Sequence, residues 1–462
     1  MEKDNKESNK TLIIVIAAVA ALCGCLFISC CAATFFAASR IGKTTIAEVL
    51  DTANIPVVEE EMAELQTEAV PEGFTQEEIQ IMRAAEKTRG LKSNEDLAIA
   101  YKTDDDLREY FMDGLKEVSD EELADELGLY EILAFAPKGF DLRQFYVDLY
   151  TEQTAGFYDP DENTMYLQTD ASPYDNALTL AHEYTHYLQY NNPDFDETLN
   201  YDDSFCEENG ETCIVIDAII EGDASLTENL VDVKGTILKN NGDASDGTVP
   251  DSSVYDSAPK FFQDSLIFPY LYGFDFVAHY YLQGGFDAVN KLYTELPQSI
   301  EQIMHPEKYL NDAPIDVSLE PFKSMISRDF DIVREDTLNE CDIMMLLGSA
   351  WNEEWQLSER QAKAGADGWG GGSFIYARSD EKPLFFSKIV WDTEKDAEEA
   401  ETTFRMYSEK RFGEQTGTDT WTDEDGSSVY LIRQNDILYW MILPDNFDHG
   451  NFVDLVRHGS IL

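Results

Sequence analysis

The longest apolar run of the chain lies close to its N-terminus. Residues 12–38 contain no charged residue, and a helix needs about 20 apolar residues to cross a bilayer. A cleavable signal peptide has a shorter apolar core, so we predict a polar tail at residues 1–10 and an uncleaved transmembrane helix within residues 11–39. The segment LCGC, which ends at Cys25, also permits a lipoprotein anchor. Both interpretations tether the protein to a membrane.

Lysines and arginines around this run indicate its orientation. Lys3, Lys6 and Lys10 precede the run, whereas Arg40 and Lys43 follow it. The positive-inside rule therefore favours a cytoplasmic N-terminus. We expect a single-pass protein of the cell membrane whose large domain is extracytoplasmic.

The pattern changes after the membrane run. Residues 40–73 are acidic and interrupted by two prolines, which predicts a stalk rather than a packed core. Thr75 and Glu78 then form a capping-box pattern in front of an amphipathic helix. Similar patterns continue, and residues 74–150 are predicted to be mostly helical.

Two short β-prone runs, GFY and TMYLQ, follow on either side of the turn sequence DPDEN. Long helical patterns then resume, and Gly284 and Gly285 divide the last two of them. We predict that residues 74–341 form one mainly helical domain with a short edge sheet.

Residues 342–462 are predicted to form a separate, small α+β domain with an antiparallel sheet. A charged helix pattern lies among the strand patterns PLFFSKIVW, SSVYLIRQ and ILYWMIL. The glycines of GWGGG, at residues 368–372, invite a phosphate-loop interpretation. No Lys-Ser/Thr pair follows them, so a tight turn or bulge is expected instead. The predicted fold class of the whole chain is α+β.

The charge of the chain disfavours one class of partner, and its cysteines indicate a possible disulfide. The chain has 91 acidic and 33 basic residues, a formal net charge of −58, which disfavours nucleic acid as a partner. Four of the seven cysteines lie in the apolar run. Cys206 and Cys213 form either a disulfide, which an extracytoplasmic location permits, or two free thiols; Cys341 has no evident partner.

The segment TLAHEYTH, at residues 179–186, carries the candidate chemistry. His182 and His186 stand four residues apart on a predicted helix, so both imidazoles leave the same face and can bind one metal ion. Glu183 is rotated about 100° from His182, where it can act as a general base. A chance H-E-x-x-H is expected on the order of 0.01 times in this composition. The alternative is a helix with two ordinary surface histidines, which the uncharged neighbours disfavour.

This segment resembles the metal-binding helix of the zincin metallopeptidases, in particular the thermolysin-like branch. That branch takes its third zinc ligand from a glutamate on a later helix, and Glu221 in the sequence EGDA is the best match. The resemblance implies that Gly222 and Ala224 let the later helix pack closely on the metal helix. The string GFYDP…HEYTH…EGDA…HP also resembles a membrane-anchored bacterial family without an assigned substrate.

One position departs from the thermolysin-like pattern. That branch has an aspartate four residues after the ligand glutamate to orient a zinc histidine, and Ser225 stands there in this chain. Asp217 and Asp223 are the alternatives for this role.

The resemblance also implies an oxyanion donor and a substrate strand. A downstream histidine or tyrosine is expected to stabilise the oxyanion, and His305, Tyr270 and Tyr272 are the candidates, with His305 preferred. An edge strand before the metal helix is expected to pair with extended peptides, which indicates Met165–Gln168. The alternative for these residues is a simple core strand.

The predicted function is a membrane-anchored, extracytoplasmic zinc metallopeptidase. Zn²⁺ held by His182, His186 and Glu221 would activate a water molecule, and Glu183 would be the general base, with His305 assisting. The expected partners are a peptide or protein substrate and, through the N-terminal helix, the membrane. Two alternatives stay open: a non-catalytic cell-surface binding protein on a zincin scaffold, and a zinc amidase acting on cell-wall peptide.

Overall fold

The structure is a computed structural model, and it describes residues 73–93, 95–116, 118–169, 173–199, 205–206, 209–233, 252–379 and 382–458. The predicted tail and transmembrane helix, and the predicted stalk up to residue 72, lie outside this part of the chain. Among the described residues, no helix is both long enough and apolar enough to cross a membrane.

The described chain folds into helices and strands in the following order. The helices are α1 Gln76–Arg89, α2 Asp104–Leu115, α3 Asp120–Ile132, α4 Leu142–Gln153, α5 Pro173–Tyr190, α6 Asp196–Leu199, α7 Gly210–Val233, α8 Ser253–Ser257, α9 Lys260–Gly284, α10 Phe286–Thr294, α11 Ile300–Met304, α12 Phe322–Ile326, α13 Glu340–Gly348, α14 Glu359–Ala366, α15 Glu394–Phe412 and α16 His449–His458. The strands are β1 Ala98–Lys102, β2 Gly156–Asp159, β3 Thr164–Gln168, β4 Asp331–Thr337, β5 Trp369–Arg378, β6 Pro383–Trp391, β7 Thr420–Thr422, β8 Ser428–Gln434 and β9 Ile437–Leu443. Helices and strands are both abundant, which confirms the predicted α+β class.

The chain divides into two compact units. Of the residues that the structure describes, those within 73–119, 142–258 and 265–297 form unit 1, and those within 120–141, 259–264 and 298–458 form unit 2.

The sheet of unit 1 has three strands in the order β1-β3-β2. β2 and β3 form the antiparallel hairpin predicted from the turn sequence, and Asn163 supplies the left-handed turn residue with φ 47°. β1 pairs with β3 in parallel along the whole strand, from Ala98 with Thr164 to Lys102 with Gln168. The prediction that Met165–Gln168 is an edge strand that binds peptide is therefore wrong, because both of its hydrogen-bonding edges are occupied.

Helix α5, which carries the H-E-x-x-H segment, lies in the core of unit 1. α1 begins with the predicted capping box of Thr75 and Glu78, and its apolar face buries Ile81 and Ala85 against the residues of α5 and the sheet. Buried apolar residues on α5, among them Leu180 and Leu188, complete this core. The helix is therefore fixed on its apolar side while its histidines face α7.

Helices α7 and α9 approach each other through two glycines. A Cβ atom added to Gly222 would lie 2.2 Å from the carbonyl oxygen of Gly273, and one added to Gly273 would lie 2.1 Å from that of Ala218. Only glycine permits this backbone contact. α7 also packs against α5, but Gly222 faces α9, so the expected role of Gly222 in the contact with the metal helix is not what the structure shows.

Unit 2 is built on a six-stranded antiparallel sheet with the strand order β4-β5-β6-β9-β8-β7. Gly368 lies in the turn before β5 with φ 79°, whereas the other three glycines of GWGGG lie inside β5. The pairing with β6 is interrupted between Trp369 and Gly371, as expected for a bulge. The predicted domain boundary at residue 341 falls inside this unit. β4 precedes that position and pairs with β5, so the sheet begins earlier than the sequence pattern indicated.

Cys206 and Cys213 form a disulfide with a Cα–Cα distance of 5.7 Å. This confirms the first of the two alternatives for the pair. Cys341 is buried in α13, and it belongs to unit 2.

Asp159, at the end of β2, gives the fold a testable dependence on pH. Its carboxylate accepts hydrogen bonds from the backbone N–H groups of Asp161 and Glu162, both at 3.0 Å, but burial raises its pKa from 3.8 to about 6. A raised carboxyl pKa means that the folded protein holds this proton more tightly than the unfolded chain does. The protonated Asp159 side chain therefore contributes to the stability of the folded state at acidic pH. This contribution is lost as the pH rises through about 6.

We therefore expect Asp159→Asn to unfold at a higher temperature than the unchanged protein at about pH 7.5, and at a similar temperature near about pH 4. Asparagine keeps the acceptor oxygen but cannot ionise. Thermal unfolding followed by circular dichroism across this range is the measurement, and Asp161→Asn, a neutralised exposed carboxylate of the same turn, is the control. Parallel pH profiles for Asp159→Asn and the unchanged protein would contradict the prediction.

Candidate metal centre

Two helices of unit 1 bring together the three predicted metal ligands. His182 and His186 project from α5, and Glu221 projects from α7. One carboxylate oxygen of Glu221 lies 3.0 Å from Nε2 of His182, and the other lies 3.6 Å from Nε2 of His186. The side chains are 1%, 1% and 5% exposed. The site is therefore a buried set of two imidazole nitrogens and one carboxylate.

The separations between these atoms resemble those around a tetrahedral metal ion, with each distance measured to a different oxygen of Glu221. Ligands bound at 2.0–2.1 Å in tetrahedral geometry are about 3.3 Å apart, and the distances of 3.0 and 3.6 Å lie on either side of this value. Glu183 is fully buried, and one of its carboxylate oxygens lies within 4.8 Å of both histidine nitrogens. Either glutamate could complete a three-ligand set. The carboxylate of Glu221 bridges the two rings, at 3.0 Å from one Nε2 and 3.6 Å from the other.

The electrostatics of the three groups favour a cation between them. Burial opposes charge on His182, but hydrogen bonds to Glu221 and Glu228 outweigh burial and raise the pKa of His182 well above its usual range. Burial also opposes ionisation of Glu221, yet His186 and His182 hold the pKa of this carboxyl at about 2. An anionic carboxylate thus faces both Nε2 atoms. A proton or a metal ion can occupy this position.

Glu228 fixes the orientation of His182. A carboxylate oxygen of Glu228 lies 3.1 Å from Nδ1 of His182, and because an ionised carboxylate only accepts, Nδ1 carries the proton. The remaining nitrogen, Nε2, then faces Glu221. The predicted alternatives for this role, Asp217 and Asp223, are not the residues that contact His182 in the structure, whereas Glu228 lies two turns after Glu221 on the same helix.

His186 is oriented by a chain of buried polar groups. Its Nδ1 lies 2.9 Å from Oε1 of Gln189, and the amide nitrogen of Gln189 donates to Asp223 at 3.1 Å. Asp223 also forms a buried ion pair with Arg89 at 2.7 Å and accepts a hydrogen bond from the Tyr293 hydroxyl at 2.8 Å. The direction of the Gln189 amide indicates that Nδ1 of His186 donates, which leaves Nε2 toward Glu221. Asp223 therefore helps to orient His186 rather than His182, and it does so through Gln189.

The sequence interpretation missed Glu228 and Gln189. Gln189 is three residues after His186, so it lies on the same face of α5, and Glu228 follows Glu221 at helical spacing. This spacing was the available signal. Outer hydrogen-bond partners of metal-binding histidines are expected wherever such a site exists.

The three candidate oxyanion donors are placed differently. The ring centroid of Tyr270, on α9, lies 6.3 Å from that of His182, whereas Tyr272 stacks on Phe268. His305 belongs to unit 2, where its Nε2 lies 2.9 Å from a carboxylate oxygen of Glu340. This hydrogen bond raises the pKa of His305. Tyr270 is thus the candidate that the structure brings next to a histidine of the site, and the catalytic role of His305 stays a prediction.

Comparison with known proteins gives one match. A family model described as "Domain of unknown function (DUF8575)" matches residues 328–449, a segment of unit 2 that includes β4 to β9. No curated protein and no solved structure matches the chain. The match covers the sheet of unit 2 and leaves His182, His186 and Glu221 outside it.

Proposed function

We propose that the protein is a membrane-anchored, extracytoplasmic zinc metallopeptidase that hydrolyses peptide bonds. The observation that carries this proposal is the convergence of His182, His186 and Glu221, with Glu183 beside them, in one buried cluster. A carboxylate that is adjacent to a three-ligand site, but is not needed to complete it, is the arrangement that a metal-assisted hydrolase uses.

Zinc suits this donor set better than the hard cations do. Two imidazoles and one carboxylate are common ligands of catalytic zinc, whereas Ca²⁺ and Mg²⁺ prefer sites made of oxygen ligands alone. Glu228 and Gln189 hold Nδ1 of the two histidines, so both rings present Nε2. This outer shell is the kind that orients imidazoles for a metal.

A bound zinc ion would supply Lewis acidity, which polarises the scissile carbonyl and lowers the pKa of an attacking water. Glu183 would accept the proton of this water and transfer it to the departing amine. Tyr270 would donate its hydroxyl proton in a hydrogen bond to the developing oxyanion, since its ring lies next to His182.

The remaining parts of the proposal rest on the sequence. The H-E-x-x-H segment and the later glutamate resemble the thermolysin-like zincins, which supports a peptide or protein as the substrate. The apolar run at residues 12–38 supports attachment to the membrane, and the charge of −58 disfavours nucleic acid as a partner.

One observation favours a second candidate function, a non-catalytic binding protein with a structural metal centre. All four residues, including Glu183, are buried, whereas a catalytic metal site keeps one position open to substrate. In a structural site Glu183 would have to serve as the fourth ligand, because structural zinc is held by four protein side chains, whereas three protein ligands suffice in a catalytic site. The two functions differ in whether the metal-loaded protein cleaves peptides.

Metal analysis together with a cleavage assay tests the proposal. We expect the full-length protein, purified in detergent, to hold at least one tightly bound zinc per chain and to cleave members of a mixed peptide library. A strong chelator should abolish cleavage because it competes for the ion, and Zn²⁺, but not Mg²⁺, should restore it. Elemental analysis and mass spectrometry of the products are the measurements. Tight zinc without any cleavage would support the structural centre, and cleavage that resists chelation would contradict a metallopeptidase.

A further inference from the structure

A second group of metal-ligating side chains lies in unit 2 and shares no residue with the metal centre of unit 1. His305 follows α11, Glu340 is the first residue of α13, and Asp367 follows the last residue of α14. One ligand atom from each residue lies within 4.8 Å of the others. Three separate segments of the fold therefore place an imidazole and two carboxylates around one point.

The contacts within this cluster leave part of Glu340 unsatisfied. Its Oε1 lies 2.9 Å from Nε2 of His305, and the side chain is only 3% exposed. Its other oxygen, Oε2, is buried and has no hydrogen-bond partner in the described part of the chain. A buried carboxylate oxygen without a partner is costly, and native structures seldom leave such groups unpaired. Glu340 thus presents an unsatisfied anionic oxygen beside His305.

The neighbouring cation, Lys308, forms its ion pairs with carboxylates other than Glu340. The ammonium group of Lys308 lies 2.6 Å from Glu301, 3.4 Å from Asp312 and 2.9 Å from Asp392. Lys308 is therefore shared among three other carboxylates. Negative charge is in excess around His305 and Glu340.

We propose that His305, Glu340 and Asp367 form a second metal site, which binds a divalent transition-metal ion such as Zn²⁺ or Mn²⁺. An imidazole nitrogen with two carboxylates is a donor set for these ions. Ca²⁺ would need six to eight oxygen ligands, which this cluster does not supply. Glu340 is buried and Asp367 is exposed, so one side of the ion would face the protein and the other side would face water.

A simple ion pair between protonated His305 and Glu340 is the competing explanation. That pair would account for the distance of 2.9 Å between Nε2 and Oε1. It would not satisfy Oε2 of Glu340, and it gives no reason for the carboxylate of Asp367 to lie within 4.8 Å of both partners. A divalent ion satisfies all three groups at once.

The proposed ion would join parts of unit 2 that are distant in the sequence. It would link the turn after α11 to the start of α13 and the end of α14. Because metal binding to the folded state stabilises that state, the site would stiffen the helical side of unit 2. This role goes beyond the proposed peptidase function and does not depend on it.

Metal binding by the full-length protein tests this proposal. The variant His182→Ala/His186→Ala removes the first site, and in this background we expect Zn²⁺ or Mn²⁺ to bind at one equivalent per chain in equilibrium dialysis. Adding Asp367→Asn should weaken this binding by at least about tenfold. Loss of a residue that only hydrogen-bonds to a metal ligand already lowers metal affinity by about 10–100-fold, and loss of a ligand should cost no less. Ca²⁺ should bind more weakly than Zn²⁺. Saturating Zn²⁺ should also raise the unfolding temperature of the background variant, and Asp367→Asn should remove this increase.

Glu359→Gln is the matched control, since it removes the same charge from the other end of α14. If Glu359→Gln weakens binding as much as Asp367→Asn does, the ion binds to the acidic surface in general and the proposal is wrong. Equal binding with and without Asp367→Asn, or equal affinity for Ca²⁺, would overturn it as well. If the background variant does not fold, Zn²⁺ titration of the otherwise unchanged chain replaces it. Two equivalents that fall to one with Asp367→Asn would support the site, and one equivalent in both proteins would refute it.

Discussion

Glu183→Gln should reduce peptide-bond hydrolysis by about 10²–10⁴-fold while the protein keeps its zinc, because this range is the usual contribution of a general acid–base group. Glutamine has nearly the same shape as glutamate but cannot accept the proton of the attacking water. His182, His186 and Glu221 are unchanged in this variant, so the metal should stay bound. Cleavage rates on a peptide library and zinc content by elemental analysis are measured on the same preparation.

The control for this experiment is Glu197→Gln, which neutralises an exposed glutamate on α6 in the same unit. Its cleavage rate and zinc content should equal those of the unchanged protein. If Glu183→Gln cleaves peptides as fast as this control does, Glu183 is not the base and the proposed mechanism fails. Loss of zinc together with activity would instead assign Glu183 to the ligand set.

Glu221→Ala should release the metal from the His182–His186 site. This carboxylate lies 3.0 and 3.6 Å from the two Nε2 atoms, and alanine supplies no ligand. Two neutral imidazoles alone hold zinc far more weakly than the three-ligand set of a catalytic site. We expect zinc affinity to fall by more than the 10–100-fold that is typical for loss of an outer partner, and peptidase activity should disappear with the metal.

Glu228→Gln is the matched comparison for Glu221→Ala. It changes the group that orients His182 but leaves the three ligands in place, so zinc affinity should fall by only about 10–100-fold. Both variants are measured in the Asp367→Asn background, so that ions at the proposed second site are not counted. If Glu221→Ala binds zinc as tightly as Glu228→Gln does, the third ligand is a different residue, and Glu183 becomes the first alternative.

The sequence was informative about the site wherever its chemistry is local. The spacing of His182 and His186 on one helix is enough to place both imidazoles on the same face, and the structure has them there. Glu221 could be selected only through a resemblance, because helix geometry on α7 says nothing about which of its acidic residues faces α5. Glu228 was missed for the same reason, whereas Gln189 could have been found from its position three residues after His186 on α5.

Long-range pairing explains the errors in the fold. Met165–Gln168 looked like an edge strand because its sequence carries no sign that residues 98–102 pair with it from a distance of more than sixty positions along the chain. The predicted domain boundary at residue 341 was placed too late for a similar reason. β4 has several charged residues and none of its residues is buried, so its membership in the sheet of unit 2 depends on β5 rather than on its own pattern.

The contact between Gly222 and Gly273 ties the chemistry of the site to the spacing of two helices. Gly222 directly follows Glu221 on α7, and Gly273 lies about one turn after Tyr270 on α9. The backbones of the two helices are in direct contact at these glycines. This contact sets the distance between the Glu221 carboxylate and the Tyr270 phenol. Any side chain introduced at Gly222 or Gly273 would push α7 and α9 apart. Glu221 and Tyr270 would then be farther from each other, although neither residue is changed.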